Sequence, residues 1–138
     1  MSERLPSFQK DKASPPLPEA SAAIALSLEG TGLHDVTLAH GSYRVSGAER
    51  AHLGGGPVRT QVWLLVIHRD SRTSWLGRPG KYAIVTADDE PAEGDVTGWF
   101  SVRLAECCGL PADVTGLVDV TAVLGPWKSA PLEIRLRA

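Results

Sequence analysis

The side chains of this sequence best suited to covalent chemistry are two adjacent thiols, Cys107 and Cys108. A nucleophilic cysteine needs a base, usually histidine, and a lowered pKa. None of the four histidines lies near the pair along the chain. The residues before Gly109 predict a single helical turn at a strand end. We therefore expect one thiol to pack inward as a small hydrophobic group and the other to be partly exposed, and we predict no catalytic residue.

The spacing of possible metal ligands matches no common site. Zinc sites usually show C-x₂-C or H-x₃-H spacing, and neither occurs. His68 and Asp70 alternate onto one face of a predicted strand, which supplies two ligands at most. An acidic loop lacks the fixed spacing of a calcium loop, although it holds five carboxylates, at Asp88, Asp89, Glu90, Glu93 and Asp95. The sequence therefore predicts no metal site and no cofactor.

Glycine motifs of enzymes are also missing. The glycines at 54–56 precede Pro57 and a strand pattern, whereas a phosphate-binding loop continues into Lys-Ser/Thr and a helix. No G-x-S-x-G motif of a serine hydrolase occurs. An enzyme that uses His68, Asp70 or a cysteine is therefore the third of three functional hypotheses.

Composition and charge exclude several classes of partner. The 138 residues carry a net charge of −2, with 14 basic and 16 acidic residues and no Lys/Arg run, so nucleic-acid binding is not expected. The longest apolar run, Val62–Ile67, is too short for a membrane helix of ~20 residues. Without a signal-peptide pattern at the N-terminus, we expect a cytoplasmic protein. Arginine exceeds lysine and asparagine is absent, which indicates a GC-rich, bacterial genome.

Short alternating segments between Gly, Pro and Asp clusters indicate an all-β fold. Their length and spacing predict an antiparallel β-sandwich of about seven to nine strands in a single domain over residues 21–138. Residues 1–20 contain four prolines, with PPLP at 15–18. They predict an extended arm or a disordered tail, and an arm could reach a neighbouring chain.

Three strand patterns are informative. Val62–Ile67 is apolar on both faces, which predicts a central strand covered on both sides with Trp63 in the core. Residues 81–86, KYAIVT, predict a further strand. From residue 96 onward the alternation points four side chains inward and four outward: Val96, Phe100, Val102 and Leu104 against Thr97, Trp99, Ser101 and Arg103.

The segment from Leu110 to Ile134 resembles the last hairpin of a fibronectin type III domain. Leucine and proline at the start, alternating apolar residues and a Ser-Ala-Pro loop carry the likeness: Leu110, Pro111, Val118, Val120, Ala122, Ser129, Ala130, Pro131, Leu132, Ile134 and Leu136. The tyrosine of such corners is missing, and Leu117 is nearest to its place. The resemblance implies an immunoglobulin-like or fibronectin-like sandwich.

The aromatic residues are the best candidates for binding. Trp75 and Trp127 lie in predicted turn regions, Lys128 follows Trp127, and Trp99 is predicted to face outward. Tryptophan is enriched where surfaces bind partners. The leading hypothesis is a structural or adaptor subunit of a larger bacterial assembly that contacts a protein partner or its own copies. The alternative is a carbohydrate- or small-ligand-binding module, which requires at least two of the three rings to share a groove.

Overall fold

The computed structural model describes residues 14–54, 56–81, 90–91 and 93–137. Within these ranges the chain is all-β, with eight strands and one short α-helix. The strands are β1 (Ala23–Glu29), β2 (Leu38–Val45), β3 (Val62–His68), β4 (Ser74–Gly77), β5 (Val96–Arg103), β6 (Gly116–Leu124), β7 (Trp127–Lys128) and β8 (Leu132–Leu136). The helix α1 is Leu104–Cys108, and 3₁₀ turns cover Glu49–His52, Val58–Gln61 and Pro79–Lys81. The predicted class, all-β with seven to nine strands, is confirmed.

The strands form two antiparallel sheets. The smaller sheet has the order β1-β2-β5. The larger sheet has the order β4-β3-β6, and both β7 and β8 pair with the free side of β6. The inner faces of the two sheets share one hydrophobic core. Every strand pair is antiparallel, so the alternation of side chains along each strand decides which ones enter that core.

The core follows the predicted alternation closely in β5 and at Leu104, the first residue of α1. Val96, Phe100, Val102 and Leu104 are each at most 2% exposed. The Phe100 ring lies against Gly41 of β2, where an added Cβ would collide with it. Gly41 therefore leaves room for the largest fully buried side chain of the smaller sheet.

The helix α1 forms at the predicted turn and closes one end of the larger sheet. It ends at Gly109, whose φ of 65° lies in the left-handed region that glycine adopts without strain. Its carbonyl at Cys107 packs directly on Gly77 of β4, where a Cβ would collide with it. The edge strand β4 is thus held by the backbone of the helix.

The outer side chains of β3 differ from the prediction. The expectation that β3 is covered on both sides with Trp63 in the core is wrong, because Trp63, Leu65 and Ile67 point away from the core and Ile67 is 36% exposed. A continuous apolar run shows that both faces are apolar, but not that both are covered. The predicted strand at 81–86 lies almost wholly outside the described residues, as do Asp88 and Asp89. In the described part of the chain, no helix is long and apolar enough to cross a membrane.

Candidate functional site

The tryptophans predicted to bind a ligand lie in three separate places. Trp75 is the register partner of Val66 in edge strand β4 and packs against the core. Trp127, in β7 on the opposite side of the larger sheet, also packs against the core, with Lys128 exposed beside it. Trp99 lies on the outer face of the smaller sheet. The three rings do not share a groove, so the carbohydrate hypothesis lacks the convergence that it requires.

The two thiols are both inside the protein. Cys107 and Cys108 are each 5% exposed, so the expectation that one is partly exposed is wrong. Both fit because the end of α1 packs against β3 and β4, and the Cys108 thiol lies 3.8 Å from the Leu64 carbonyl. Hydrogen bonding to Cys108, together with burial, raises the pKa of Cys107 well above its ordinary value. A neutral, buried thiol is a poor nucleophile.

The His68 side chain braces a turn. The Thr115 carbonyl accepts from Nε2 at 2.9 Å, and Nδ1 lies 2.7 Å from the Ser71 hydroxyl. Asp70 is exposed, and the two ring nitrogens of His68 face Ser71 and Thr115 rather than Asp70. Among the described residues, no group of three or more His, Cys, Asp or Glu side chains is placed to hold a metal ion.

The outer face of the smaller sheet, here called the covered face, carries a polar relay whose histidine and serine are buried and whose glutamate is partly exposed. Adjacent strands bring Glu29 of β1, His40 of β2 and Ser101 of β5 together. Nδ1 of His40 lies 2.7 Å from the Ser101 hydroxyl, and Nε2 lies 2.8 Å from a Glu29 carboxylate oxygen. A carboxylate only accepts, so Nε2 donates to Glu29, and in the neutral ring Nδ1 accepts from Ser101. His40 is 0% and Ser101 2% exposed.

Residues 14–20, here called the Pro-rich segment, lie on the covered face. The Ser42 hydroxyl donates to the Pro16 carbonyl at 2.8 Å, and Nε of Arg44 donates to the Pro18 carbonyl at 2.7 Å. The step from Pro16 to Pro18 along the segment matches the step from Ser42 to Arg44 along β2. The segment therefore runs parallel to β2. Trp99 is the register partner of Ser42, and its indole N–H is buried without an acceptor among the described residues.

The outer face of the larger sheet, here called the open face, carries a row of apolar side chains that no other described part of the chain covers. It is built from cross-strand neighbours, with Leu65 opposite Leu76 and Trp63 opposite Val123. Leu76 is 57% exposed, and Ile67 continues the row. Contiguous exposed apolar surface on an ordered sheet is typical of a protein-binding site.

A groove crosses one end of the open face. The Arg78 guanidinium stacks on the Trp63 ring, 4.3 Å from its centroid. Cavities of about 630 and 440 Å³ flank this pair and share Thr60, Trp63 and Arg78. Neither Arg78 nor Lys128 has a carboxylate partner among the described residues. Within the described ranges, this end of the face therefore presents positive charge without a paired carboxylate.

The other end of the open face carries a cluster of ion pairs. Arg69 contacts Asp119 and Glu133, each at 2.7 Å. The hydrogen bonds to these carboxylates raise the pKa of Arg69. The charge of Arg69 is therefore balanced by carboxylates, whereas Arg78 has no carboxylate partner among the described residues.

Comparison of the chain with family models, curated proteins and solved structures finds no match in any of the three. The site must be judged from its own geometry. Sequence reasoning placed Ser101 on the outward face correctly, but it did not single out Glu29 or His40. Alternation gave each residue a face, yet only the strand order brings the three side chains together.

Proposed function

We propose that this chain is a non-enzymatic adaptor, a subunit of a larger assembly, that docks a protein partner on its open face. One observation carries the proposal: Leu76 is 57% exposed beside Leu65 and Ile67 on a hydrogen-bonded sheet. Burial of such a row by a partner contributes about 25 cal/mol per Å² of apolar area.

The charge at the groove defines the partner more closely. Arg78 lies on Trp63 without a carboxylate among the described residues, and tryptophan and arginine are the residues most enriched at the energetic centres of interfaces. A partner that fits presents apolar side chains to Leu65 and Leu76 and a carboxylate to Arg78. The partner's carboxylate would then accept two hydrogen bonds from the Arg78 guanidinium while that group remains stacked on Trp63.

The sandwich type is part of the proposal. The first, second and fifth strands share one sheet, and the third, sixth and last share the other, as the A-B-E and C-F-G strands of immunoglobulin-like domains do. β4 pairs with β3 as a C′ strand does. This order supports an immunoglobulin-like or fibronectin-like class. Trp63 departs from it, because it faces outward where immunoglobulin domains bury a tryptophan.

Site-specific photo-crosslinking in the native host tests the docking site. A photoreactive residue at position 76 should capture a partner, whereas the same residue at Val36, which is 55% exposed outside the open face, should not. Arg78→Glu should lower the yield at position 76 about tenfold, because it removes an interface anchor. Arg78→Lys keeps the charge without the planar stack and serves as the intermediate variant.

Equal capture at positions 36 and 76, or capture that Arg78→Glu leaves unchanged, would overturn the docking site. Circular dichroism of each variant separates loss of binding from loss of fold. Leu76 and Arg78 are both surface residues, so we expect the fold to persist.

The polar relay favours a second candidate function, a serine hydrolase. Ser101, His40 and Glu29 are linked in the order nucleophile, base and acid of a catalytic triad, but the ring nitrogens are exchanged, because Nδ1 rather than Nε2 of His40 faces the serine. A reacting group must reach the hydroxyl, however, and Ser101 is 2% exposed. Neither of the two cavities includes it.

A fluorophosphonate probe distinguishes the two functions. The adaptor proposal expects no labelling of Ser101 in the full chain or in a variant without residues 1–20. Labelling that disappears in Ser101→Ala, while Ser129→Ala, at a second buried serine, still labels, would establish the hydrolase instead.

A further inference from the structure

We propose that the covered face is a receptor for the Pro-rich segment of a second copy of this chain, so that two copies exchange their segments. The inference goes beyond the proposed function, because it concerns the other sheet and a different partner. It rests on how the segment is held and on the backbone that connects it to β1.

The receptor recognises the backbone of the segment. Ser42 and Arg44 donate to the carbonyls of Pro16 and Pro18, while the Pro16 side chain is exposed. A proline-rich segment is extended and leaves its carbonyls without internal hydrogen bonds. Side-chain donors beside an aromatic ring are a common way of binding such segments, and Trp99 is the register partner of Ser42. The same segment from a second chain can make identical contacts.

The connection to β1 is a short, strained turn. The segment runs in the direction of β2, and β1 is antiparallel to β2, so the chain must reverse between Pro18 and Ala23. At this turn Ala22 has a φ of 59°, a left-handed conformation that costs energy for any residue with a Cβ. Opening the turn would release the strain while the segment contacts are re-formed between copies. Short strained hinges favour this type of exchange.

The turn is also anchored. The Glu49 carboxylate accepts from the Ser21 hydroxyl at 3.4 Å and from the Ala22 backbone N–H. The closed chain is therefore favoured at low concentration, where the attached segment has a high effective concentration. Exchange is expected at high concentration, as a closed dimer with two-fold symmetry.

Hinge variants of the full chain provide the first test. Ala22→Val keeps the backbone N–H but disfavours a positive φ. Ala22→Pro excludes a positive φ altogether, because its ring fixes φ at a negative value. Both substitutions should lower the dissociation constant of the dimer. Two hinges open in a dimer, and we expect a decrease of about tenfold per hinge. Ala22→Gly tolerates positive φ and should raise that constant by a similar factor. Light scattering after size exclusion over a concentration series measures the change.

Mixed cross-linking locates the contact. One chain carries Pro16→Cys and another carries Thr97→Cys, an exposed position opposite Arg44 on the covered face. A short bis-maleimide should link the two chains at concentrations where the dimer forms. A control with Ser74→Cys, exposed on the larger sheet, should give no link. Because Cys107 and Cys108 are buried, they should not react in the folded chain.

Several results would overturn the proposal. The first is that every Ala22 variant that folds stays monomeric. The second is that a dimer forms but the Ala22 variants leave its dissociation constant unchanged. The third is that cysteines at positions 74 and 97 cross-link equally to position 16. A full chain that remains monomeric but binds an unrelated proline-rich peptide on the covered face would assign that face to another protein. The open-face crosslink at position 76 is unaffected by any of these outcomes.

Discussion

The outer faces of the two sheets reverse the usual relation between polarity and burial. On the covered face, the polar residues His40, Ser42 and Ser101 are at most 2% exposed. On the open face, the apolar Leu76 is 57% exposed, with Ile67 beside it. Both faces back onto the same core, so packing of the core does not explain the difference.

The comparison shows how each face is stabilised. Buried polar groups usually have hydrogen-bond partners. The covered face supplies them to His40, Ser101 and Ser42 through the Glu29–His40–Ser101 relay and the Pro16 carbonyl, although the indole N–H of Trp99 has no acceptor among the described residues. The open face has no such cover in the described chain, and its apolar side chains remain available to a partner. One face is covered by a segment of the same chain, whereas the apolar row of the other is exposed among the described residues.

The largest effect is expected from removal of His40. His40→Ala leaves the Ser101 hydroxyl and a Glu29 oxygen without their shared partner and opens a cavity. It should lower the free energy of unfolding by about 3 kcal/mol, measured by urea denaturation. His52→Ala, at an exposed histidine, should change it by less than about 0.5 kcal/mol. Equal effects would mean that the relay does not stabilise the covered face.

Gly77 and Leu76 are neighbours in β4 and lie on opposite sides of the larger sheet. A Cβ at Gly77 would collide with the backbone carbonyl of Cys107, so Gly77→Ala should destabilise the fold by about 2 kcal/mol. Leu76→Ala, on the open face, should change the free energy of unfolding by less than about 0.5 kcal/mol. A clear loss of stability in Leu76→Ala would show that the open face is covered within the monomer.

A smaller effect is expected at the contact with the Pro-rich segment. Ser42→Ala removes the donor to the Pro16 carbonyl and should cost about 1 kcal/mol. Limited proteolysis near residues 14–20 should become faster in this variant. Ser74→Ala, at an exposed serine in β4 of the other sheet, should behave as the wild type in both measurements.

The smallest effect concerns pH. Hydrogen bonds, foremost from the Ser46 backbone and then from the Ser46 hydroxyl, hold the pKa of Glu49 below its ordinary value of 4.5, and Ser21 and Ala22 add to this. A lowered pKa stabilises the fold above the unfolded value, and this stabilisation is lost as the pH falls through the folded value. The wild type should therefore lose stability relative to Glu49→Gln below about pH 4.5. A constant difference between neutral pH and about pH 3 would contradict this role.

Local patterns predicted much of the fold. Alternation assigned Val96, Phe100 and Val102 to the core and Trp99 and Ser101 to the outside, as the structure has them. It could not say that Ser101 would nevertheless be buried, because burial depends on what covers a face. For the same reason the apolar run of β3 was misread as covered on both sides.

Candidate binding residues were harder to predict. Trp75 and Trp127 were chosen because tryptophan is common at interfaces, but both pack against the core. Trp63, assigned to the core, instead carries Arg78 on the open face. A side chain of this type suits either environment, and only its position in the sheet decides between them.

The sequence by itself determined the all-β class, the approximate number of strands and the side to which most side chains point, because these depend on a two-residue period that each strand carries locally. The tertiary structure alone decided which strands are neighbours. His40 and Ser101 are 61 positions apart, and they meet because β2 pairs with β5 in one register. Pairing between distant segments reflects the packing of the whole core, which no single segment encodes.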